Sequence, residues 1–479
     1  MGNKIFKMSN FTKTVNYLKK NGIRHAYYAA KERIGEERTS GYFYREPSAE
    51  ELEAQRRETA EYSEVFSIVV PAYETREDFL CEMIDSVCRQ SYGGWELIIV
   101  DASASDKVRR AVKDIIGKST EENRAGRIKY IRLAENKGIS GNTNAGIEAA
   151  AGDYVALLDH DDFLAPDALY YMAKEIHRAG QRGMRPALLY TDEDKYEDDS
   201  GRYETPHEKQ KFNLDLILSN NYVCHFMAVR ADLMKKLQLR GEFDGAQDYD
   251  LVLRVAAGLL GTTAVHELPR QIVHIPRILY HWRCHAGSTA ENTASKSYAY
   301  EAGKAAVADF CSGQGWHVEV KHGLHLGFYE IIYLPDILTV RDDIGIVGGR
   351  ILDPHGCICG GAFDEEGGCM YEGLYKEYSG GSTHRAALKQ DVAAVDVRFM
   401  QMRPELRKEF EQITGLRYEE RTVCCKMGRV KGKIRTADIS GLACDEAGYR
   451  KLSLELGKAA ADRGYRVLWD PAVSVYAGR

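Results

Sequence analysis

From residue 65 onward, short apolar runs alternate with segments in which apolar residues recur at helical spacing. The runs FSIVVPAY, WELIIVD, RIKYIRL, DYVALLD and ALLYTD are rich in β-branched residues and end at polar positions, which is typical of buried strands. Between the first two, DFLCEMIDSVCRQ places Phe79, Leu80, Met83, Ile84 and Val87 on one helical face. This alternation predicts an α/β fold built on a doubly wound, largely parallel sheet.

Polar side chains recur where these strands end. In a parallel sheet, ligands bind outside the carboxyl ends of the strands. We therefore expect a ligand cleft along this edge. The residues at the strand ends are Pro71, Tyr73, Asp101, Asp159, Asp161, Asp192 and Asp194.

The stretch AAGDYVALLDHDDFLAPDAL carries the most concentrated charge of this edge. Asp159 and Asp161 are two residues apart at the end of a strand, a spacing that puts both carboxylates on one side of an extended chain. Two hard oxygen ligands and a diphosphate would suit Mg²⁺ or Mn²⁺. The alternative is a polar turn that leads into a helix beginning near Pro166.

The segment GAQDYDLVLRVAAG predicts a helix with Asp248 at its N-terminus. An ionised carboxylate that faces a cleft can act as a general base on an acceptor hydroxyl. Asp248 alternatively does no more than cap the helix. Asp250, two residues further along, is expected to point elsewhere.

A further segment, RILYHWRCHAGSTA, contains two candidates for the same cleft. His285 is a candidate third metal ligand, since neutral imidazole accepts Mn²⁺. Arg283 is a candidate clamp for a diphosphate. A lone histidine is more often structural than a ligand, and that alternative stays open.

Composition excludes several classes of protein. With 479 residues and a formal net charge of −6, the chain lacks the basic excess that nucleic-acid binding requires. No apolar stretch reaches the roughly 18 residues of a membrane span, and the N-terminus has no signal-peptide core, so we expect a cytoplasmic protein. The 11 cysteines are scattered, as in reduced thiols, and no CxxC pair indicates zinc.

The two ends of the chain differ from its middle. Residues 1–64 are basic and then acidic, with apolar residues at near-helical spacing from Phe6 to Leu18, which predicts a helical N-terminal extension. Such a helix either packs on the next domain or makes peripheral contact with an anionic membrane. Residues 313–479 are rich in Gly and Cys and lack an opening strand and turn of the same kind.

Taken together, the middle of the chain resembles the family 2 glycosyltransferases of GT-A fold. The matching segments span about residues 65–312 and include FSIVVPAYE, WELIIVDASASD, ENKGISGNTNAGIEAAAGDYVALLDHDD, LLYTDEDK, GAQDYDLVLR and YHWRCHAGS. The resemblance implies a Rossmann-like GT-A domain and an inverting transfer of a sugar from a nucleotide diphosphate.

The resemblance also implies roles for individual residues. Asp248 would be the catalytic base, and Asp159 and Asp161 would bind Mg²⁺ or Mn²⁺, with His285 the third ligand considered above. Asp192 and Asp194 would lie in an acidic segment near the sugar and the acceptor. The donor would be bound by Pro71, Tyr73, Glu74, Asp101, Asn136, Gly138 and Asn144. To these we add Asp159, His160 and Arg283 as candidates from the strand ends themselves. Asp101 is followed by Ala102 where many relatives carry a second acid, a departure that bears on recognition of the base.

The C-terminal part, residues 313–479, resembles the back half of a second transferase domain. DDIGIVGGRILDPHGCICGGAF and DRGYRVLWDPAVSVYAGR carry this likeness, whereas the nucleotide-binding front half is missing. We expect a smaller, non-catalytic α+β module.

The function predicted from these residues is metal-dependent glycosyl transfer in cell-surface polysaccharide synthesis. The donor would be a UDP- or dTDP-linked sugar, and the acceptor would be a glycan or a lipid-linked glycan. The alternative is a non-catalytic glycan-binding or scaffold protein derived from a transferase. Neither a GxGxxG fingerprint nor a P-loop is present, which argues against a dinucleotide dehydrogenase and a P-loop enzyme.

Overall fold

The strands and helices that the sequence predicts from residue 65 onward are present in the structure, in the predicted order. The computed structural model describes residues 8–39, 41–118, 126–285, 297–427 and 430–477. Phe6, where the predicted N-terminal helix was expected to begin, lies outside the described residues.

The described strands form two large sheets and two small ones. The strands are β1 (Phe66–Ala72), β2 (Trp95–Asp101), β3 (Ile128–Arg132), β4 (Tyr154–Leu157), β5 (Phe163–Leu164), β6 (Leu188–Glu197), β7 (Arg202–His207), β8 (Met227–Arg230), β9 (Ile272–Cys284), β10 (Val318–His322), β11 (Tyr329–Tyr333), β12 (Ile344–Leu352), β13 (Ile358–Gly360), β14 (Ala362–Phe363), β15 (Gln390–Val392), β16 (Ala394–Val395), β17 (Met400–Met402), β18 (Glu420–Met427), β19 (Val430–Ala437) and β20 (Arg466–Tyr476).

Helices flank the sheets. They are α1 (Met8–Thr39), α2 (Ala49–Glu58), α3 (Glu77–Cys88), α4 (Lys107–Lys118), α5 (Gly138–Ala149), α6 (Ala168–Gly180), α7 (Leu214–Ser219), α8 (Ala231–Leu237), α9 (Gln247–Leu260), α10 (Leu268–Gln271), α11 (Ser297–Gly313), α12 (Ile337–Val340), α13 (Arg407–Thr414) and α14 (Glu446–Asp462).

The first large sheet has the order β3-β2-β1-β4-β8-β6-β9-β5, with β7 paired to β6. Strands β3, β2, β1 and β4 are parallel, and so are β6 and β9. Strand β8 is antiparallel to both of its neighbours and joins the two parallel parts. The predicted α/β class with a Rossmann-like parallel sheet is confirmed.

Burial explains why these segments form this sheet. Strand β2 is buried along its whole length, and β1 along all but one position, as their continuous apolar runs predict. The predicted apolar face of α3 is buried against the sheet, at Phe79, Leu80, Met83, Ile84 and Val87.

A second sheet organises the C-terminal part, with the order β13-β12-β20-β18-β19 and with β15 and β17 paired at its side. Its own core gathers Phe410, Leu456 and Trp469, all of which are buried. The hairpin of β10 and β11 instead packs on the first core, where Tyr329 and Ile331 are buried together with Tyr249 of α9. The boundary at residue 313 therefore stays a proposal.

A buried cluster of charges joins the two large sheets. Asp215 of α7 accepts from Arg341, at 3.1 Å, and lies 2.8 Å from the guanidinium of Arg466 on β20. Asp343 pairs with both arginines, and Asp391 pairs with Arg466. Burial alone would raise the pKa of Asp343, but the two arginines hold it well below its usual range. Because these ions are desolvated, each depends on its partners.

The N-terminal helix packs on the C-terminal part, whereas the sequence analysis offered the next domain or a membrane surface as its partner. Gly22, with φ +82°, interrupts α1. The carboxylate of Glu32 accepts hydrogen bonds from the amides of Ser379, Gly380 and Gly381 at 2.9 to 3.2 Å and from the Ser379 hydroxyl. Both glycines have positive φ, so their successive amides converge on one anion.

None of the described helices is long and apolar enough to cross a bilayer. All eleven cysteines are free thiols.

We predict that Arg466→Gln lowers the free energy of unfolding by about 3–5 kcal/mol, because it leaves Asp215 and Asp391 buried with a missing partner. Urea unfolding followed by circular dichroism measures the loss. Arg435→Gln is the matched control, because Arg435 is exposed and its ion pair with Glu420, at 3.7 Å, contributes little to stability. Equal stability of the two variants would contradict a role for the cluster.

Candidate active site

The acidic turn after β4 is held in place by β9. The short strand β5 pairs antiparallel with β9, with Phe163 opposite His281. Asp162 is buried and accepts from the backbone amide of Arg283, at 2.7 Å, and from the hydroxyl of Tyr280. Asp162 is therefore the residue that anchors the turn, and Asp159 and Asp161 are left to face the cleft.

The three predicted metal ligands lie close together, although they form no complete site. Nε2 of His285 lies 3.2 Å from Oδ2 of Asp161, and both side chains are partly exposed. The Asp159 side chain is 46% exposed. Partial desolvation by the surrounding protein raises its pKa, the charge of His225 opposes the rise, and repulsion by Asp161 adds to it. Among the described residues, no group of three or more His, Cys, Asp or Glu side chains is arranged to hold a metal ion.

The donor atoms at this turn nevertheless fit a hard divalent cation. Two carboxylates and an imidazole are the ligand types that Mg²⁺ and Mn²⁺ accept. Nδ1 of His160 is also buried without a hydrogen bond, 3.9 Å from Oδ1 of Asp161. The turn therefore has a nitrogen that a bound ligand can satisfy.

Asp248 lies in the first turn of α9 and does not cap it. The N-cap position is Ala246, with no side-chain hydrogen bond. Burial raises the pKa of Asp248 to about 6, repulsion by Asp159 adds to the rise, and the charge of His225 opposes it. Asp248 and Asp159 therefore share one electrostatic environment. Asp250 points elsewhere, as expected, and is buried in ion pairs with Arg240 and Arg254.

Sequence reasoning missed the centre of this cleft, which is His225. Its ring lies 3.9 Å from Asp159 and 3.4 Å from Glu193, and its backbone amide also donates to Glu193. Burial alone would lower the pKa of His225, but the hydrogen bond and charge of Glu193, followed by the charges of Asp159 and Asp248, raise it to about 9. An imidazolium thus lies among the carboxylates.

Two further residues hold Glu193 in its place. Nζ of Lys209 lies 3.5 Å from Glu193 and donates to the carbonyl of Val223 at 3.1 Å. Nδ1 of His207 lies 3.2 Å from the other carboxylate oxygen. Burial would raise the pKa of Glu193, but the charge of Lys209 and the hydrogen bonds from His207 and His225 hold it well below its usual range.

The acidic segment at residues 192–194 lies within β6 rather than after it, and two of its members do not have the role that the resemblance implied. Asp192 is buried and accepts from the Lys209 amide at 2.8 Å and from His274 at 2.7 Å. Asp194 is buried and bonded to His281 and to the hydroxyl of Tyr42. Successive strand residues face opposite sides, so Glu193 is the member that enters the cleft. Asp192 and Asp194 are structural residues.

The predicted nucleobase pocket lies at the ends of β1 and β2. Tyr73 is 51% exposed. Glu74, with φ +49°, accepts from the hydroxyl and amide of Ser105 at 2.7 and 2.8 Å, and these hydrogen bonds lower its pKa. Asp101 is fully buried and already accepts from Ser103, Tyr130 and Arg132. The Asp101 carboxylate thus shapes the pocket wall and has no exposed surface for a base.

The segment around α5 is shaped by its own hydrogen bonds. Asn136 accepts from the amide of Gly138 at 3.0 Å, and a Cβ at Gly138, which has φ +77°, would lie 2.5 Å from Asp244. Asn144 exchanges two hydrogen bonds of 2.8 Å with the backbone of Leu239. Because the Asn144 amide is used in this way, its effect on a donor site is indirect.

Arg283 does not reach a diphosphate. Its guanidinium is buried and pairs with Asp198 at 2.8 Å and with Glu82 at 2.5 Å, while Nε donates to the carbonyl of Asp161. The predicted clamp is corrected to a residue that supports the acidic turn. Pro71, at the end of β1, is partly exposed, as a pocket residue would be.

We predict that Glu193→Gln lowers the pKa of His225 well below 9, because the strongest group that favours the imidazolium is lost. A titration of the imidazole resonances by NMR, without divalent ions, measures this. Glu208→Gln is the control, since Glu208 is exposed and does not contact His225. Titration of His225 near pH 9 in the Glu193→Gln variant would disprove the interaction.

Comparison with known proteins shows which family this part of the chain is similar to. Residues 67–238 match the model of glycosyl transferase family 2. The O-antigen biosynthesis protein RfbC of Myxococcus xanthus is 33% identical over 258 residues, a match that covers 53% of this chain and 19% of the relative. The amylovoran biosynthesis glycosyltransferase AmsB of Erwinia amylovora is 29% identical over 195 residues, 40% of this chain and 63% of the relative.

A solved structure, S. aureus TarS 1–349, is 18% identical, with a TM-score of 0.38, over 51% of this chain and 65% of its own. The matches cover less than two thirds of the length of each of these relatives. The matched residues 67–238 run from β1 to the end of α8 and include the acidic turn, Glu193 and His225. Over these residues, the chain matches glycosyl transferase family 2.

Proposed function

We propose that the chain transfers a sugar, with inversion, from a nucleotide-diphosphate donor to a hydroxyl of a glycan or lipid-linked glycan. The observation that carries this is the position of His225, whose ring lies 3.9 Å from Asp159 of the acidic turn and is acted on by the charges of both Asp159 and Asp248. The relatives are named for O-antigen and amylovoran biosynthesis, which supports a role in polysaccharide synthesis.

In this proposal Asp248 accepts the proton of the attacking hydroxyl. With a pKa of about 6, its carboxylate is ionised at neutral pH and is a stronger base than an ordinary aspartate. Attack on the anomeric carbon opposite the diphosphate inverts the configuration. His225, bonded to Glu193, stabilises the ionised form of Asp248 through its charge.

The donor would lie between the ends of β1 and β2 and the acidic turn. Tyr73, which is exposed there, offers a ring for the nucleobase. Asp159, Asp161 and His285 would hold Mg²⁺ or Mn²⁺, which supplies charge to stabilise the leaving nucleotide diphosphate. The partly exposed side chains of this group are accessible to a ligand.

We also propose peripheral contact with a membrane surface at the cytoplasmic face, where a lipid-linked acceptor would be found. Ile23, Tyr27 and Ile34 are exposed along one face of α1. Glu32, which binds the C-terminal part, lies on the opposite face. Exposed Lys31 flanks the apolar face, as in helices that lie on anionic membranes.

We predict that Asp248→Asn lowers kcat by about 10²–10⁴-fold, because the amide cannot accept the proton. Nucleotide release, measured with a panel of nucleotide sugars and acceptors, reports the rate. Asp232→Asn, a change on the exposed side of α8, serves as the control.

The pH profile of the wild type provides the second part of this test. Activity requires the ionised base, so kcat/KM should decline as the pH falls through about 6. Turnover of the Asp248→Asn variant within a few-fold of the wild type would place the base elsewhere.

We predict that Asp161→Asn weakens the binding of Mn²⁺ in the presence of UDP by at least about tenfold, because a charged oxygen ligand is lost. Isothermal titration with MnCl2 measures the affinity without relying on turnover, and Asp232→Asn is again the control. Unchanged Mn²⁺ affinity would remove Asp161 from the proposed metal site.

A further inference from the structure

A long groove lies outside the cleft described above, where residues 42–58 pass along the transferase domain. It encloses about 970 Å³, at the upper end of the roughly 300–1,000 Å³ of small-molecule sites. A smaller cavity of about 290 Å³ shares four of its residues, Tyr170, Tyr171, Pro276 and Arg277. The two cavities therefore adjoin at these residues, and we treat them as one groove.

The inner end of the groove reaches the back of the catalytic cleft. Lys209 and Asp192 line this end. The ammonium of Lys209 contacts Glu193, which holds His225 on the cleft side. One layer of side chains therefore separates the groove from the centre of the proposed transfer reaction.

Aromatic rings line much of the wall. Tyr42, Phe43, Tyr44, Tyr170 and Tyr171 all border the larger cavity, and Phe43 is 76% exposed. The hydroxyl of Tyr44 is buried without a hydrogen-bond partner. Such rings offer flat apolar faces next to polar edges.

Arg277 stands where the two cavities meet. Its guanidinium stacks on the ring of Tyr171, 4.2 Å from the centroid. Among the described residues, no carboxylate lies within 4.0 Å of this guanidinium, while Arg45 and Lys174 at the same groove are paired with Glu51 and Glu58. Arg277 thus has donors to offer a ligand at an exposed position.

The charge of the lining selects among ligand classes. Across the two cavities, six carboxylates stand against five cations, so the lining lacks the cationic excess that a polyphosphate or a nucleic acid would need. The carboxylates are Glu51, Glu58, Asp167, Glu175, Asp192 and Glu208, and the cations are Arg45, Lys174, Arg178, Lys209 and Arg277. Carboxylates and a guanidinium can hydrogen-bond many hydroxyl groups, and aromatic rings pack against the apolar C–H faces of sugar rings.

We infer that this groove binds a stretch of several sugar residues of the glycan acceptor, away from the hydroxyl that reacts. The inference rests on the proposed transferase function, and it makes the substrate an oligosaccharide or a polymer rather than a single sugar. The two adjoining cavities and the stacked Tyr171–Arg277 pair where they meet carry the assignment.

The test is binding of the fluorescently labelled full chain to an array of neutral linear oligosaccharides of one to eight residues. We expect binding that rises with length, and a loss of at least tenfold in Tyr171→Ala and Arg277→Ala. Tyr171→Phe, which keeps the ring, should retain most of the binding. Arg435→Ala, which removes an exposed arginine far from the groove, should bind as the wild type does.

The assignment of the groove as an acceptor site would be overturned if the wild type bound no array component, or if the alanine variants bound as well as the wild type. Melting temperatures of all variants, compared with the wild type, show whether each is folded. Donor turnover is measured on the same preparations. If the variants turn over donor and bind the array as the wild type does, only the assignment of the groove is wrong. If the wild type turns over no donor, the proposed transferase function itself is wrong.

Discussion

Repulsion between carboxylates is the constraint on which the candidate site depends. The end of β4, the middle of β6 and the start of α9 bring Asp159, Asp161, Glu193 and Asp248 to one cleft. Carboxylates that share a cleft raise one another's pKa unless a cation lies between them. His225 is that cation within the chain, and its pKa of about 9 shows how strongly its neighbours favour the charged ring.

The same principle organises the rest of the molecule. Arg283 holds the acidic turn by donating to the carbonyl of Asp161, and its ion pairs with Glu82 and Asp198 keep its guanidinium out of the cleft. Asp215 and Arg466 link the two large sheets through a buried ion pair. In each case the desolvated charge is compensated by a partner that comes from a different part of the sequence, so the fold and the site are stabilised together.

Residues were predicted well where a strand or helix end fixes them. The positions of Asp159, Asp161 and Asp248 follow from local patterns, because a strand ends or a helix begins at each. Glu193 was missed because Asp192 and Asp194 on either side have the same chemistry, and the facing of a strand depends on which side the sheet packs. His225 was missed because it follows no motif, and only β8 places it between Glu193 and Asp159.

The sequence by itself determined the α/β alternation, the buried strands and the acidic strand ends, because hydrophobic periodicity and turn residues act over a few positions. Tertiary structure alone decided which carboxylates are free. Asp101, Asp192 and Asp194 are consumed by hydrogen bonds to residues 17 to 152 positions away, whereas Asp159 and Asp248 keep their oxygens for the cleft. The physical reason is that the charge state and availability of a carboxylate depend on burial and on partners, and both are set by contacts that are distant along the chain.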